Sequence, residues 1–188
     1  MPSFFEQKQL SVMLSREQIQ TRVDQLGAEI TKEYGPKLGS DSSPAGGELV
    51  VIGILKGSFV FLADLVRAAD LPLVVDFIGL SSYGDATESS GVVQLTQDLS
   101  RPIAGKHVLV VEDIIDTGLT MKYLLENLTT RHPASIKLAS LLEKPARNKS
   151  GVTADFLGFS IEDKFVVGYG LDYKSRYRNL PFVGVMQS

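Results

Sequence analysis

The chain has 188 residues, 44% of them hydrophobic, with no cysteine, two histidines and a formal net charge of −3. That length suits one domain spanning residues 1–188, able to bury roughly 70% of its unfolded surface, and the absence of cysteine excludes thiol nucleophiles, disulfide staples and thiolate metal sites. The acidic balance disfavours binding nucleic acid through its phosphates, and the apolar runs are far short of a membrane span.

Ser15 to Tyr34 reads as an amphipathic helix, because Ile19, Val23, Leu26 and Ile30 share one face and Ser15 with Gln18 forms a capping-box pattern. Gly35 to Gly47 is expected to be a loop. Leu49 to Leu55, LVVIGIL, has the unbroken apolar composition of a strand buried on both faces. Lys56-Gly57-Ser58 then turns into a helix striped by Leu62, Leu65, Val66 and Ala69. Leu73 to Leu80 is a further strand, Ser81 to Gly91 a polar, glycine-bearing loop, Val92 to Thr96 a return strand, and Pro102 to Lys106 a turn.

His107 to Leu128 holds the chemistry. VLVV is a buried strand, and Met121, Leu124, Leu125 and Leu128 form the stripe of a helix with Thr120 as its expected N-cap. Between them Glu112, Asp113 and Asp116 place three carboxylates at the strand's carboxyl end, and Asp116 to Thr120 is suited to aiming backbone N–H groups at an anion. A ligand satisfying both needs a phosphate for the loop and hydroxyls or a bridging cation for the acids, which means a sugar phosphate. Ile136 to Leu142 is the next strand, ending at Glu143-Lys144-Pro145. Ala154 to Phe159 and Lys164 to Tyr169 are short strands before Asp172, and Tyr173 to Asn179 is a turn or short helix. Gly168-Tyr169-Gly170 lacks the third glycine of a dinucleotide fingerprint. His107 and His132 are too far apart in sequence to suggest a zinc pair, so any metal should be hard and oxygen-bound, as magnesium is.

VVEDIIDTGLT resembles the phosphoribosyl-pyrophosphate signature of type I phosphoribosyltransferases, and DKFVVGYGLDY resembles the hypoxanthine-guanine branch of that family; the likeness runs from about Leu49 to Gln187. It implies an α/β fold with a mostly parallel central sheet, helices on both faces, and a small hood built from the terminal segments. It also implies roles. Glu112 and Asp113 would hold ribose hydroxyls and face magnesium, and Thr117, Gly118, Leu119 and Thr120 would hold the 5′-phosphate. Asp116 would take a proton at the purine's imidazole ring. Lys56 and Gly57 would contact pyrophosphate, through a peptide bond between them that can be cis, and Arg178 would bind the same group. Ser82 and Tyr83 would belong to a mobile loop that closes over the reacting centre. Lys144 would hydrogen-bond the exocyclic oxygen of the base, Phe165 would stack on it, and backbone groups at Val166 and Asp172 would read its edge, with the Asp172 carboxylate on magnesium. Leu119 and Gly79 stand where vertebrate members carry Lys and Arg.

The expected reaction moves the phosphoribosyl group from phosphoribosyl pyrophosphate to hypoxanthine or guanine. The expected protein is soluble, cytoplasmic and a homodimer or homotetramer, with small-molecule substrates and no nucleic-acid or membrane partner; MPSFFEQKQL has no cationic flank leading into an apolar stretch. Two other readings are an RNA-binding regulator on the same fold, which the acidic balance disfavours, and a non-catalytic nucleotide sensor, which has no need of Asp116, Lys144 and Asp172 together.

Overall fold

The computed structural model describes residues 10–38, 47–82 and 93–186. In chain order they form β1 (Leu10–Leu14), α1 (Arg16–Leu38), β2 (Leu49–Leu55), α2 (Phe59–Ala68), β3 (Leu73–Ser82), β4 (Val93–Gln97) and β5 (His107–Ile115). There follow α3 (Leu119–Thr129), β6 (Ser135–Glu143), β7 (Phe156–Ser160), β8 (Val166–Val167) and β9 (Val183–Met186).

A six-stranded sheet runs in the order β4-β3-β2-β5-β6-β7. All its pairings are parallel except β3 with β4. Period-2 alternation explains how both faces are buried. Leu49 and Val51 of β2 and Leu109 and Val111 of β5 pack on one side with α1 and α2. Val50, Ile52, Val108 and Val110 pack on the other with Met121, Leu124 and Leu128 of α3. Each fully buried side chain of this size contributes about 1.5–3 kcal/mol of apolar transfer free energy. The strand order reverses between β2 and β5, with β3 and β4 on one side and β6 and β7 on the other. Ligands of open α/β sheets bind at the carboxyl ends beside such a switch point.

The capping box forms as its residues suggest, with Gln18 Oε1 accepting from Ser15 N at 2.8 Å and Ser15 Oγ accepting from Gln18 N at 3.3 Å. The helix does not stop at Tyr34, however, and continues through Gly35 and Pro36 to Leu38. Tyr34 and Leu38 extend the stripe from Ile30 and are both buried, and this burial outweighs the hydrogen bond that Pro36 cannot donate. The strand of the central motif is longer than VLVV, so Glu112 and Asp113 lie within β5 rather than after it. Thr120 is not the N-cap of α3. Gly118 holds that position at φ 76°, without a side-chain cap, and Thr120 falls in the first turn. The segment after Asp172 is a tight turn, bridged between Tyr173 and Arg176, not a short helix.

A second, three-stranded sheet has the order β1-β9-β8 and is antiparallel throughout. It joins the two ends of the chain, as the small hood required, although neither β1 nor β9 was visible in the sequence pattern. β1 leaves Val12 59% exposed, and β9 is only four residues long with a glycine inside it. Tyr169, just beyond β8, donates its hydroxyl to Asp64 Oδ2 of α2 at 2.6 Å, tying the hood to the main sheet's helix layer.

Candidate active site

The turn after β2 is the most crowded part of the site. A Cβ on Gly57 would lie 1.7 Å from Asp113 Oδ2, and a Cβ on Gly170, whose φ is +101°, would lie 2.1 Å from the Gly57 carbonyl oxygen. Backbone of the β2 turn is therefore sandwiched between an acid of β5 and the loop that follows β8, and only glycine permits that approach. Among the described residues the non-proline cis bond is Leu55–Lys56, one residue before the Lys56–Gly57 bond that the resemblance allows to be cis. The turn begins on leaving β2, which ends at Leu55. Lys56 and Arg178 line a cleft of about 430 Å³ with Leu55, Gly79, Leu80, Thr96 and Gln97. Gly79 lets β4 close in, since a Cβ there would meet Thr96 Oγ1 at 2.6 Å.

Glu112 and Asp113 are half-buried residues whose carboxyl groups are densely surrounded. Burial, then the neighbouring Asp113 charge, pushes the Glu112 carboxyl well above its ordinary value. Burial also raises Asp113, against the lowering effects of its hydrogen bonds to Glu112 and to backbone N–H groups. One of those is Ile114 N, which donates to Asp113 Oδ1 at 2.9 Å. Glu112 Oε2 is buried and has no hydrogen-bond partner among the described residues.

Beyond the acids, Gly118 in the left-handed region turns the chain into α3, and Lys122 N donates to its carbonyl at 2.9 Å. Lys149 N and Ser150 N both donate to the Thr117 carbonyl, at 3.0 and 3.2 Å. Ser150 Oγ stands where a Cβ on Gly118 would be, at 2.1 Å. The loop is thus held in shape from outside, by the connection between β6 and β7. Leu119 and Thr120 remain exposed at the helix N-terminus, where backbone N–H groups and the helix dipole favour an anion.

Lys144 is not a solvated strand-end lysine: it is 8% exposed, its backbone N donates to Ile115 O at 2.9 Å, and its Nζ lies 3.2 Å from Asp163 Oδ1. Arg147 Nε lies 2.5 Å from Asp116 Oδ1, and its Nη1 lies 3.5 Å from Asp163 Oδ2. Partial burial would raise the Asp163 carboxyl, but Lys144 and Arg147 outweigh it and hold Asp163 below the usual carboxylate range. Arg147 and Asp163 were missed in the sequence. The signal available was a second cation three residues after Lys144, with a proline between.

On the hood side Phe165 is 54% exposed and meets Tyr173 edge-to-face, with centroids 5.6 Å apart and planes at 83°. Val166 is buried in β8. Arg178 donates through Nη1 to the Gly170 carbonyl at 2.6 Å, its Nη2 lies 2.6 Å from Asp172 Oδ1 in an ion pair, and Ser175 N donates to Asp172 Oδ2 at 2.7 Å. Asp172 is thus committed to its own loop, and among the described residues no three acidic or histidine side chains gather closely enough to hold a cation unaided. Tyr83 lies outside the described residues, and Ser82 is placed only as the last residue of β3.

Residues 18–174 match the model of the phosphoribosyl transferase domain. A hypoxanthine-guanine phosphoribosyltransferase of Bacillus subtilis is 48% identical over 176 residues, covering 94% of this chain and 92% of that protein. A hypoxanthine phosphoribosyltransferase of Haemophilus influenzae is 45% identical over 93% of this chain and 94% of its own. A crystal structure of a hypoxanthine phosphoribosyltransferase from Staphylococcus aureus superposes with a TM-score of 0.89 at 43% identity, covering 100% of this chain and 96% of that one. On these likenesses in sequence and fold, the chain belongs to the phosphoribosyltransferase family.

Proposed function

We propose that the protein transfers the phosphoribosyl group of phosphoribosyl pyrophosphate to hypoxanthine or guanine, a purine-salvage reaction that yields IMP or GMP and pyrophosphate. The carrying observation is the convergence, at the adjacent ends of β5 and β6, of an anion-binding loop, a buried acid pair and the buried Lys144. In this reading Glu112 and Asp113 accept from the ribose hydroxyls, and Thr117 to Thr120 receive the 5′-phosphate through backbone N–H groups. Because those contacts come from the main chain, Leu119 in place of a lysine leaves the loop's geometry intact. Lys56 and Arg178 face the departing pyrophosphate across the cleft they line. Ser82 and Tyr83 are assigned to closure over the bound substrates, which would exclude water.

The bond from the sugar's anomeric carbon to pyrophosphate breaks and a bond to the purine's imidazole nitrogen forms. Asp116 accepts the proton that the purine's imidazole ring sheds as that bond forms. Positive charge developing on the sugar faces the carboxylates, and negative charge leaving on pyrophosphate faces the cations, so the arrangement is complementary to the transition state. Lys144 donates to the exocyclic oxygen of the base, Phe165 offers an exposed ring for stacking, and backbone groups of Val166 and Asp172 read the purine edge.

The residues fit magnesium. The donors are hard oxygens, and Glu112 Oε2 is a buried acceptor without a partner among the described residues. Glu112, Asp113 and Asp172 do not form a closed cage, and magnesium characteristically takes one or two carboxylates together with substrate phosphates. When bound, it would neutralise the pyrophosphate as a leaving group. An assay of hypoxanthine, guanine, xanthine and adenine with phosphoribosyl pyrophosphate and magnesium tests the proposal. Nucleotide formation from the first two is expected, and tight nucleotide binding without turnover of any base would overturn it.

A further inference from the structure

We propose that Arg147 is a positioning residue for proton transfer, fixing the carboxylate that accepts the proton to the lysine that reads the base. The inference rests on the roles of Asp116 and Lys144 proposed above. The 3-10 turn Pro145–Arg147 follows Lys144 directly and is closed by Arg147 N donating to the Lys144 carbonyl at 3.0 Å. It returns the guanidinium toward the end of β5, where Nε meets Asp116 Oδ1 at 2.5 Å and Nη1 reaches Asp163 Oδ2 at 3.5 Å. The other oxygen of Asp163 meets Lys144 Nζ at 3.2 Å. Charges alternate along Lys144, Asp163, Arg147 and Asp116, and a planar, forked cation sits where two carboxylates must keep a fixed separation.

The same connection constrains Asp116 a second time. Two residues after Arg147, Lys149 N and then Ser150 N bond the Thr117 carbonyl, so the main chain beside Asp116 and its side chain are both held by residues 147–150. Stability gives no reason for this ion pair. The side chains of Arg147 and Asp116 are 44% and 42% exposed, although Asp116 Oδ1 itself is buried and makes no hydrogen bond among the described residues, so the contact is an ion pair by proximity, and pairs on side chains this exposed contribute little to folding. Orientation is what the contact supplies, since a carboxylate that must meet one nitrogen of a bound purine loses rate when it swings freely.

Replacing Arg147 should therefore change turnover without changing the fold. For Arg147→Ala we expect kcat with hypoxanthine to fall about 10- to 100-fold, as misplaced reacting groups do, while KM for phosphoribosyl pyrophosphate and the melting temperature stay near the parent's. Millimolar guanidinium should restore several-fold of the lost rate in Arg147→Ala and leave the parent unaffected. Arg147→Lys keeps the charge without the fork, so it should remain several-fold slow, and it carries the test if the alanine variant does not fold. In an Asp116→Asn background the further loss from Arg147→Ala should be under about twofold, the non-additivity expected of groups that act as one. Turnover of Arg147→Ala within twofold of the parent overturns the proposal, as does an equal loss in the Asp116→Asn background. The outcomes separate the two assignments: a slow Asp116→Asn with a normal Arg147→Ala removes only Arg147, whereas a normal Asp116→Asn removes the proton-acceptor reading and this inference with it.

Discussion

Glu112 and Asp113 lie inside β5, a few residues before Asp116, and the protein treats the two groups in opposite ways. Asp116 is answered within the chain by Arg147, which is itself balanced by Asp163 and Lys144. Among the described residues no cation forms an ion pair with the acid pair, and only the charge of Arg178 acts on Asp113; its carboxyls are crowded by burial and by each other, and Glu112 Oε2, like Asp116 Oδ1, makes no hydrogen bond. One group is balanced by a contacting cation before any ligand arrives, and the other is not. A pair of that kind is costly in the free protein and is relieved by hydroxyl donors and a cation, so its unfavourable free-protein electrostatics become binding selectivity for a metal-bound sugar phosphate.

The largest effect should come from leaving the acid pair unanswered. Chelating magnesium is expected to abolish turnover and weaken phosphoribosyl-pyrophosphate binding, because unit charges at 4 Å interact by roughly 4 kcal/mol at an effective dielectric of 20. Isothermal titration and turnover in excess chelator check this, and undiminished turnover would show that the pair is satisfied by protein alone.

On the other side of the comparison, Asp116→Asn keeps shape and removes the proton acceptor. Turnover should fall about 10²- to 10⁴-fold, the usual contribution of a general base, with phosphoribosyl-pyrophosphate affinity and fold retained. Steady-state kinetics with a binding measurement decide it, and a loss smaller than twofold would make Asp116 a loop-shaping residue held by Arg147.

Lys144 sharpens the contrast at the base. An ammonium is donor-only, so it can answer the oxygen of hypoxanthine or guanine but meets the amino group of adenine donor to donor. An unsatisfied buried group costs about 1–3 kcal/mol, or roughly 5- to 150-fold. Lys144→Ala should therefore lower the efficiency ratio of hypoxanthine to adenine by about that factor. An unchanged ratio would confine Lys144 to its ion pair with Asp163.

The sheet, the acids at the end of β5 and the anion loop could be read because their signals are local, whereas Lys56, Lys144, Phe165, Asp172 and Arg178 were assigned roles by the resemblance. An unbroken apolar run in LVVIGIL and VLVV marks a strand buried on both faces, and DTG marks the anion loop that follows. What escaped was set by distant partners. β1 is a strand because β9 pairs with it from the far end of the chain, and Pro36 stays in a helix because Leu38 is buried. Asp163 matters because residues separated from it by a whole strand return to it. Even the N-cap of α3 was misplaced for this reason: a hydroxyl at Thr120 is a sound local signal, but Gly118 packed beneath Ser150 determines where the helix begins.

The smallest expected effect tests the cost of the acid pair directly. The folded state raises the Glu112 carboxyl well above its ordinary value of 4.5, so the folded protein binds that proton more tightly than the unfolded chain does. Between the ordinary value and the raised one, stability must fall as pH rises, and above the raised one the whole cost is present. Glu112→Gln removes the charge while keeping size and hydrogen-bonding reach. Without ligand the variant should melt above the parent at pH 8, with each tenfold displacement of the proton equilibrium worth about 1.4 kcal/mol and each kcal/mol about 2–4 °C in a domain of this size. The gap should close as pH falls below 4.5, where the parent's carboxyl carries its proton in both states. With saturating phosphoribosyl pyrophosphate and magnesium at pH 8 the order should reverse, because the parent has the carboxylate to gain from them. Melting curves at both pH values, with and without ligand, give all four comparisons. A parent that melts above the variant by the same margin at both pH values would mean that Glu112 is already compensated within the fold, and the contrast with Asp116 would vanish.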